Sequence, residues 1–254
     1  MLIKDSHTLH VTLTSLIATL LILVVSSCDD PSGPVDVPVR GIEDTPRPNF
    51  EAETAALVLS GELIAPEALY QEMLRDLARV AAAFEQETGT AAPLFEPPWV
   101  PGELLMQISR EAKRQVRSGT FTDLDDLNEL YGLAEVDTTL LALGVLHLKF
   151  KGRLHPGQLS AIYERVPSVV WSEPNLTFVF SSDLFLRRLD PGTSFLYWRG
   201  SGDCPSGCIN NEYWYLRLEQ DIEYVGTYRP GEDPEPPWWE EAKLARCTKR
   251  RCKP

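Results

Sequence analysis

Apolar residues recur along this chain at two spacings, and the switches between them mark out its elements. Over residues 67–87 the spacing is helical. Leu69, Met73, Leu77, Val80 and Phe84 form one stripe, with Glu72, Arg75, Asp76 and Arg79 opposite and Gly89 as the stop. Residues 145–150 alternate, with Leu146, Leu148 and Phe150 set against His147, Lys149 and Lys151, which predicts a strand with one buried face. Pro156 then suits the first turn of a helix that carries Leu159, Ile162, Tyr163 and Val166, and Pro167 ends it. Val169, Val170 and Trp171 make a further strand, which Glu173-Pro174-Asn175 closes.

The same reading applied to residues 103–136 gives a strand over 103–108 and a polar, basic stretch over 111–117. A helix follows, capped by Thr122 with Leu124, Leu127 and Leu130 inward, and then a strand over 133–136. The order strand, helix, strand, strand, helix, strand predicts an α+β fold: a ferredoxin-like antiparallel sheet with helices on one face. Residues 55–59 form a short apolar run compatible with a strand. Beyond residue 175, apparent strands near 178–189, 194–199, 213–218 and 222–228 predict a C-terminal β-meander that extends the sheet, with Asp190-Pro191-Gly192 as a turn. Residues 230–254 read as an acidic, proline-rich spacer and a basic tail, with a helical turn or two near 238–245.

Three pieces of residues 101–175 carry a family resemblance. They are Pro101-Gly102-Glu103-Leu104-Leu105, Gly144-Val145-Leu146-His147-Leu148, and Val169-Val170-Trp171-Ser172-Glu173-Pro174-Asn175. Together they resemble the propeptide and inhibitor domains of subtilisin-like serine proteases. The resemblance implies a partner protease, which such a domain helps to fold or whose cleft it blocks with an extended segment. Here that segment would start near Glu173 and include Asn175, Leu176 and Phe178. No protease domain follows, and the chain runs directly into further strands.

The N-terminus supplies an address. Residues 11–25 are mostly apolar, a run too short to span a bilayer comfortably, and end in Val25-Ser26-Ser27-Cys28. Small residues directly before a cysteine, at the end of a signal-like run, resemble the lipobox of bacterial lipoproteins. The resemblance implies a signal peptide over residues 1–27, lipidation of Cys28 and a membrane anchor, with inner and outer membrane both open. Residues 28–53, rich in Pro, Asp and Gly, read as a disordered tether, and residues 54–92 as a strand–helix segment.

A formal charge of -13 argues against a nucleic-acid partner, which calls for a basic surface. With Cys28 set aside, Cys204, Cys208, Cys247 and Cys252 allow three pairings. Export favours disulfides, and the local pairs Cys204–Cys208 and Cys247–Cys252 are preferred to cross-pairs; a four-thiolate metal site is the rival, at wider spacing than the usual zinc pattern. His147, on the polar side of a strand, and His155, in a turn, read as exposed. No nucleophile elbow or zinc-protease motif occurs, and no cofactor is implied. The aromatic residues Tyr197, Trp198, Tyr213, Trp214 and Tyr215 alternate on their strands. They offer either an exposed binding face or a covered one packed beneath residues 230–245. The sequence therefore leads to a non-enzymatic envelope lipoprotein that presents a protein-interaction domain, with a trans-acting protease inhibitor or chaperone as the alternative.

Overall fold

The computed structural model describes residues 47–93, 99–176, 182–202 and 208–248, with side chains to Ala245. Residues 1–46 lie outside it, so the signal segment, Cys28 and most of the expected tether are not described. Two four-stranded antiparallel sheets and a set of helices make an α+β fold.

The chain enters through helix α1, Phe50–Ser60. This replaces both the end of the expected tether and the expected strand at 55–59. Six consecutive residues, Ala52 to Leu57, are buried, so no helical stripe exists to be read. The end signals are ordinary: Asn49 accepts a hydrogen bond from the Ala52 N–H at 2.8 Å, and Gly61 closes the helix in the left-handed region. Helix α2, Glu67–Thr88, buries Met73, Val80 and Phe84 as its stripe predicts. Asp76, expected on the solvent side, is buried, and that burial raises its pKa above the usual carboxylate value.

The first sheet comprises β1 (Trp99–Ile108), β2 (Leu133–Asp137), β3 (Val145–Phe150) and β4 (Val169–Leu176), in the order β2-β3-β1-β4. β1 begins four residues before the expected start at residue 103. Pro101 and Gly102, residue types common in turns, form a bulge inside the strand. The register shifts between Trp99 and Leu104, and Gly102 (φ 72°) lies so close to the β3–helix loop that a Cβ would sit 2.3 Å from the Gly152 carbonyl oxygen. Helix α3 (Arg110–Ser118) follows β1, and α4 (Asp125–Leu130) precedes β2. Leu124 is buried and Leu127 packs on the core, but Leu130 is exposed. Two steps of three residues turn a helix by about -120°, which carries Leu130 off the face.

Helix α5 (Pro156–Tyr163) joins β3 to β4. His155, expected to be exposed, is its N-cap: Nδ1 accepts from the Gly157 N–H at 3.1 Å, and the ring packs on Trp99 with centroids 5.2 Å apart. Burial lowers the His155 pKa. β4 continues through Glu173, Pro174 and Asn175, which were expected to end it, to Leu176.

The second sheet is a meander of its own and not a flank of the first. It comprises β5 (Ser182–Arg188), β6 (Thr193–Ser201), β7 (Asn210–Leu218) and β8 (Ile222–Tyr228), paired in sequence order. Helices α1 and α2 cover one face, where Phe84 meets Tyr197 at 5.1 Å and Trp214 at 5.3 Å. Helix α6 (Trp239–Ala242) and the 3-10 turn Lys243–Thr248 cover the other.

One junction ties the α1 end of the chain to the first sheet. Arg153 donates to Glu53 at 2.7 Å and to the Arg47 carbonyl at 2.9 Å, and lies 5.0 Å from the centre of the Phe50 ring. The His155 N–H donates to the Leu63 carbonyl at 2.8 Å beside it.

Arg153→Ala leaves Glu53 largely buried and unpaired, and is expected to lower unfolding stability by about 2–4 kcal/mol in urea titration. His155 makes stability depend on pH. Its folded pKa lies below the unfolded value of 6.5, so its contribution is complete above pH 6.5 and is lost as pH falls through the folded value. His155→Asn keeps a capping acceptor that does not titrate, and thermal melts between pH 7.5 and 5 should lose that step.

Candidate functional site

The two sheets differ in what covers them. Both faces of the second are packed under helices or turns. In the first, Leu104, Met106 and Ile108 of β1 and Leu146, Leu148 and Phe150 of β3 join one core with residues of α3 and α5. Alternation sends Glu103, Leu105 and Gln107 to the opposite face, opposite Lys149, His147 and Val145 of β3. Trp171 and Glu173 of β4, and Glu135 and Asp137 of β2, pair onto the same face. Among the described residues no helix packs there.

At its centre lies a polar cluster. His147 Nε2 and Glu103 Oε2 are 2.7 Å apart, and Asn175 Nδ2 donates to the same oxygen at 2.7 Å. A carboxylate only accepts, so the His147 Nε2 carries the proton. Asn175 and His147, 3.4 Å apart, are then neighbouring donors that share one acceptor. The side chains of Glu103 and His147 are 23% and 18% exposed, which corrects the expectation of a free, exposed His147. Lys149 bonds both carboxylate oxygens of Glu135 at 3.1 Å on the exposed flank. This arrangement orients side chains and offers donors, acceptors and an indole to another surface. The pairing across β1, β3 and β4 that builds it was not readable, since sequence separates Glu103, His147 and Asn175 by up to 72 residues.

Glu173 is exposed on this face, Asn175 is half-buried within it, and Leu176 is exposed at the strand's end. The strand is paired to β1 on either side of Asn175, in the registers Glu173–Leu105, Pro174–Leu104 and Leu176–Trp99, and Asn175 itself falls at the register shift. The stretch 173–176 is therefore a sheet strand and not a free extended segment. Phe178 lies outside the described residues.

β4 is an edge, yet it is closed to further pairing near its middle. The Ser172 N–H donates to Glu164 at 3.1 Å and its carbonyl accepts from Ser160 at 2.7 Å. Antiparallel alternation then turns the Pro174 nitrogen outward too, where its missing N–H leaves no donor to offer.

The aromatic residues are covered. Tyr213, Trp214 and Tyr215 are buried, so they form no exposed binding face. Trp214 lies under α2. Tyr215 stacks on Trp238 at 5.4 Å, and its hydroxyl donates to Glu241 at 2.7 Å; Tyr213 meets Trp239 at 4.7 Å. Trp198 is half-buried and donates from Nε1 to Asn211 at 2.8 Å. A polar cleft of about 450 Å³ opens near the end of α2, lined by Thr88, Arg199, Glu212, Tyr224, Arg229 and Asp233. Arg229 pairs with Glu212 and its backbone N–H donates to Asp233, and the Arg199 guanidinium lies 5.2 Å over Trp214.

Cys208 is disulfide-bonded. Cys28, Cys204 and Cys252, and the side chain of Cys247, lie outside the described residues, so neither the local pairs nor the cross-pairs are distinguished. Among the described residues no group of three His, Cys, Asp or Glu side chains could hold a metal ion, and no helix is long and apolar enough to cross a membrane. No family model, curated protein or solved structure matches the chain.

Glu103→Ala removes the single acceptor shared by His147 and Asn175, and is expected to cost about 1–3 kcal/mol in urea titration. Glu135→Ala breaks only an exposed pair and should leave the midpoint unchanged.

Proposed function

We propose that the chain is a non-enzymatic lipoprotein of a bacterial envelope, anchored through Cys28, whose first sheet binds a protein partner through its bare face. The observation that carries this reading is the contrast between the sheets: among the described residues, one is covered on both sides, the other on one. The strand order β2-β3-β1-β4, with helices on the opposite face, supports a ferredoxin-like description of this part. The bare face combines an indole (Trp171), a half-buried leucine (Leu105) and fixed polar groups, a mixture suited to protein recognition.

Inhibition of a subtilisin-like protease is a second reading, favoured by the same strand order. The pairing of residues 173–176 with β1 means that any inhibiting segment would have to begin after Leu176.

A photo-crosslinking residue at Gln107 or Glu173 of the full chain in its own membrane should capture a defined protein, and one on the covered Phe195 should not. Capture lost in Glu103→Ala while the fold persists would support the face as the docking surface; equal capture from all three positions would end that reading. Mass spectrometry should find the mature amino end at Cys28 with acyl chains attached. Slow, tight inhibition of a subtilisin-like protease by the same preparation would favour the second reading.

A further inference from the structure

Helix α3 is a local reversal of the chain's acidity. Among its nine residues are Arg110, Lys113, Arg114 and Arg117, against one acid, Glu111, in a chain of formal charge -13. At 100° per residue the four cations fall within an arc of about 100°. The opposite side, Ala112 and Val116, joins the core of the first sheet. Arg114 pairs with Glu111, and Arg110 and Arg117 have no ion-pair partner among the described residues. The cationic face is thus available.

The same end of the sheet exposes aliphatic side chains. The turn between β2 and β3 carries Leu140, 43% exposed, and Leu143, 70% exposed. It is fixed beside α3: Lys113 Nζ donates to the Ala142 carbonyl at 2.5 Å, and the Ile108 N–H, just before the helix, donates to the Gly144 carbonyl at 2.9 Å. Val170, 61% exposed, is the second residue of β4 at this end, where Val169 pairs with Ile108. Asp137 is the nearest acid on β2, and its carboxylate is occupied by Thr139.

We propose that this end of the domain, Leu140 and Leu143 flanked by Arg110, Lys113, Arg114 and Arg117, docks on the surface of an anionic phospholipid bilayer. Cations meet anionic headgroups while the two leucines enter the interface. The remaining acidic surface is repelled by such a bilayer, so one orientation is selected. The inference rests on the membrane attachment proposed above. The 18 residues between Cys28 and Arg47 have a covalent reach of about 60 Å, enough for an anchored domain to turn toward its own membrane.

The test uses the full chain, purified in detergent and reconstituted with vesicles of phosphatidylcholine alone or with phosphatidylglycerol added. Flotation scores attachment, and amide hydrogen exchange scores docking. Expected on anionic vesicles is about tenfold slower exchange over residues 138–145, absent on neutral ones. The R110E/R117E/L143S variant should lose this protection, and R110K/R117K should keep it. Equal exchange on both vesicles while the chain floats would overturn docking and leave the anchor standing. Flotation with anionic vesicles alone, with the protection present, would support docking and overturn the anchor; flotation with neither would overturn both. Protection that grows with protein density on neutral vesicles would identify a second copy, and protection that requires a co-purifying protein would identify that protein; either result overturns the proposal.

Discussion

Arg153 carries a constraint that the rest of the structure depends on. It sits in the loop after β3 and reaches the first helix of the chain, neutralising Glu53, which burial on α1 would otherwise leave charged and alone. The same guanidinium holds the Arg47 carbonyl and lies against Phe50. Because α1 and α2 form the cover of the second sheet, this contact links the cover of one sheet to the loop of the other. Trp99 repeats the link: it begins β1 of the first sheet, packs within the core of the second, and rests on His155, the cap of α5. A buried ion pair is weak evidence of net stability, but it is strict about geometry, since either partner alone is costly. Here that strictness falls on the joint.

What was legible in the sequence follows from how each element is buried. α2 and β3 each have one covered side, so their periods of 3.6 and 2 are visible in Met73, Val80 and Phe84 and in Leu146, Leu148 and Phe150. α1 is buried all round and shows no period, and only its caps, Asn49 and Gly61, betray it. β1 was shortened in the reading because Pro101 and Gly102 carry the chemistry of a turn. They make a bulge, and only the approach of the Gly152 carbonyl reveals why a glycine is needed there. The α+β class was readable because it depends on element order. The polar cluster was not, because Glu103, His147 and Asn175 meet only through strand pairing.

Burial also separates the aromatic residues from the surface they suggested. Tyr213 and Trp214 are adjacent in β7 and point to opposite faces, so both could be buried only if both faces were covered. They are: α2 lies over Trp214, and Trp238 and Trp239 lie over Tyr215 and Tyr213. The Glu241 carboxylate fixes that second cover by accepting from the Tyr215 hydroxyl and pairing with Arg217 at 2.5 Å. The second sheet is thereby a closed body, and its aromatic content serves cohesion.

Among the described residues, the first sheet has closed part of an edge and left a face. An edge strand invites addition of another strand, and natural sheets blunt it with inserted polar contacts and proline. β4 does both: Glu164 and Ser160 take the Ser172 N–H and carbonyl, and Pro174 offers no donor at the next outward position. Main-chain pairing along this part of β4 is thus disfavoured, while Trp171, Glu173 and Asn175 of the same strand present side chains on the bare face. Any contact on that face would be made by side chains, and side-chain contact discriminates in a way that backbone pairing does not. The shared acceptor at Glu103 fixes the positions of the central donors of that face, His147 and Asn175, and so fixes the pattern that such contact would meet.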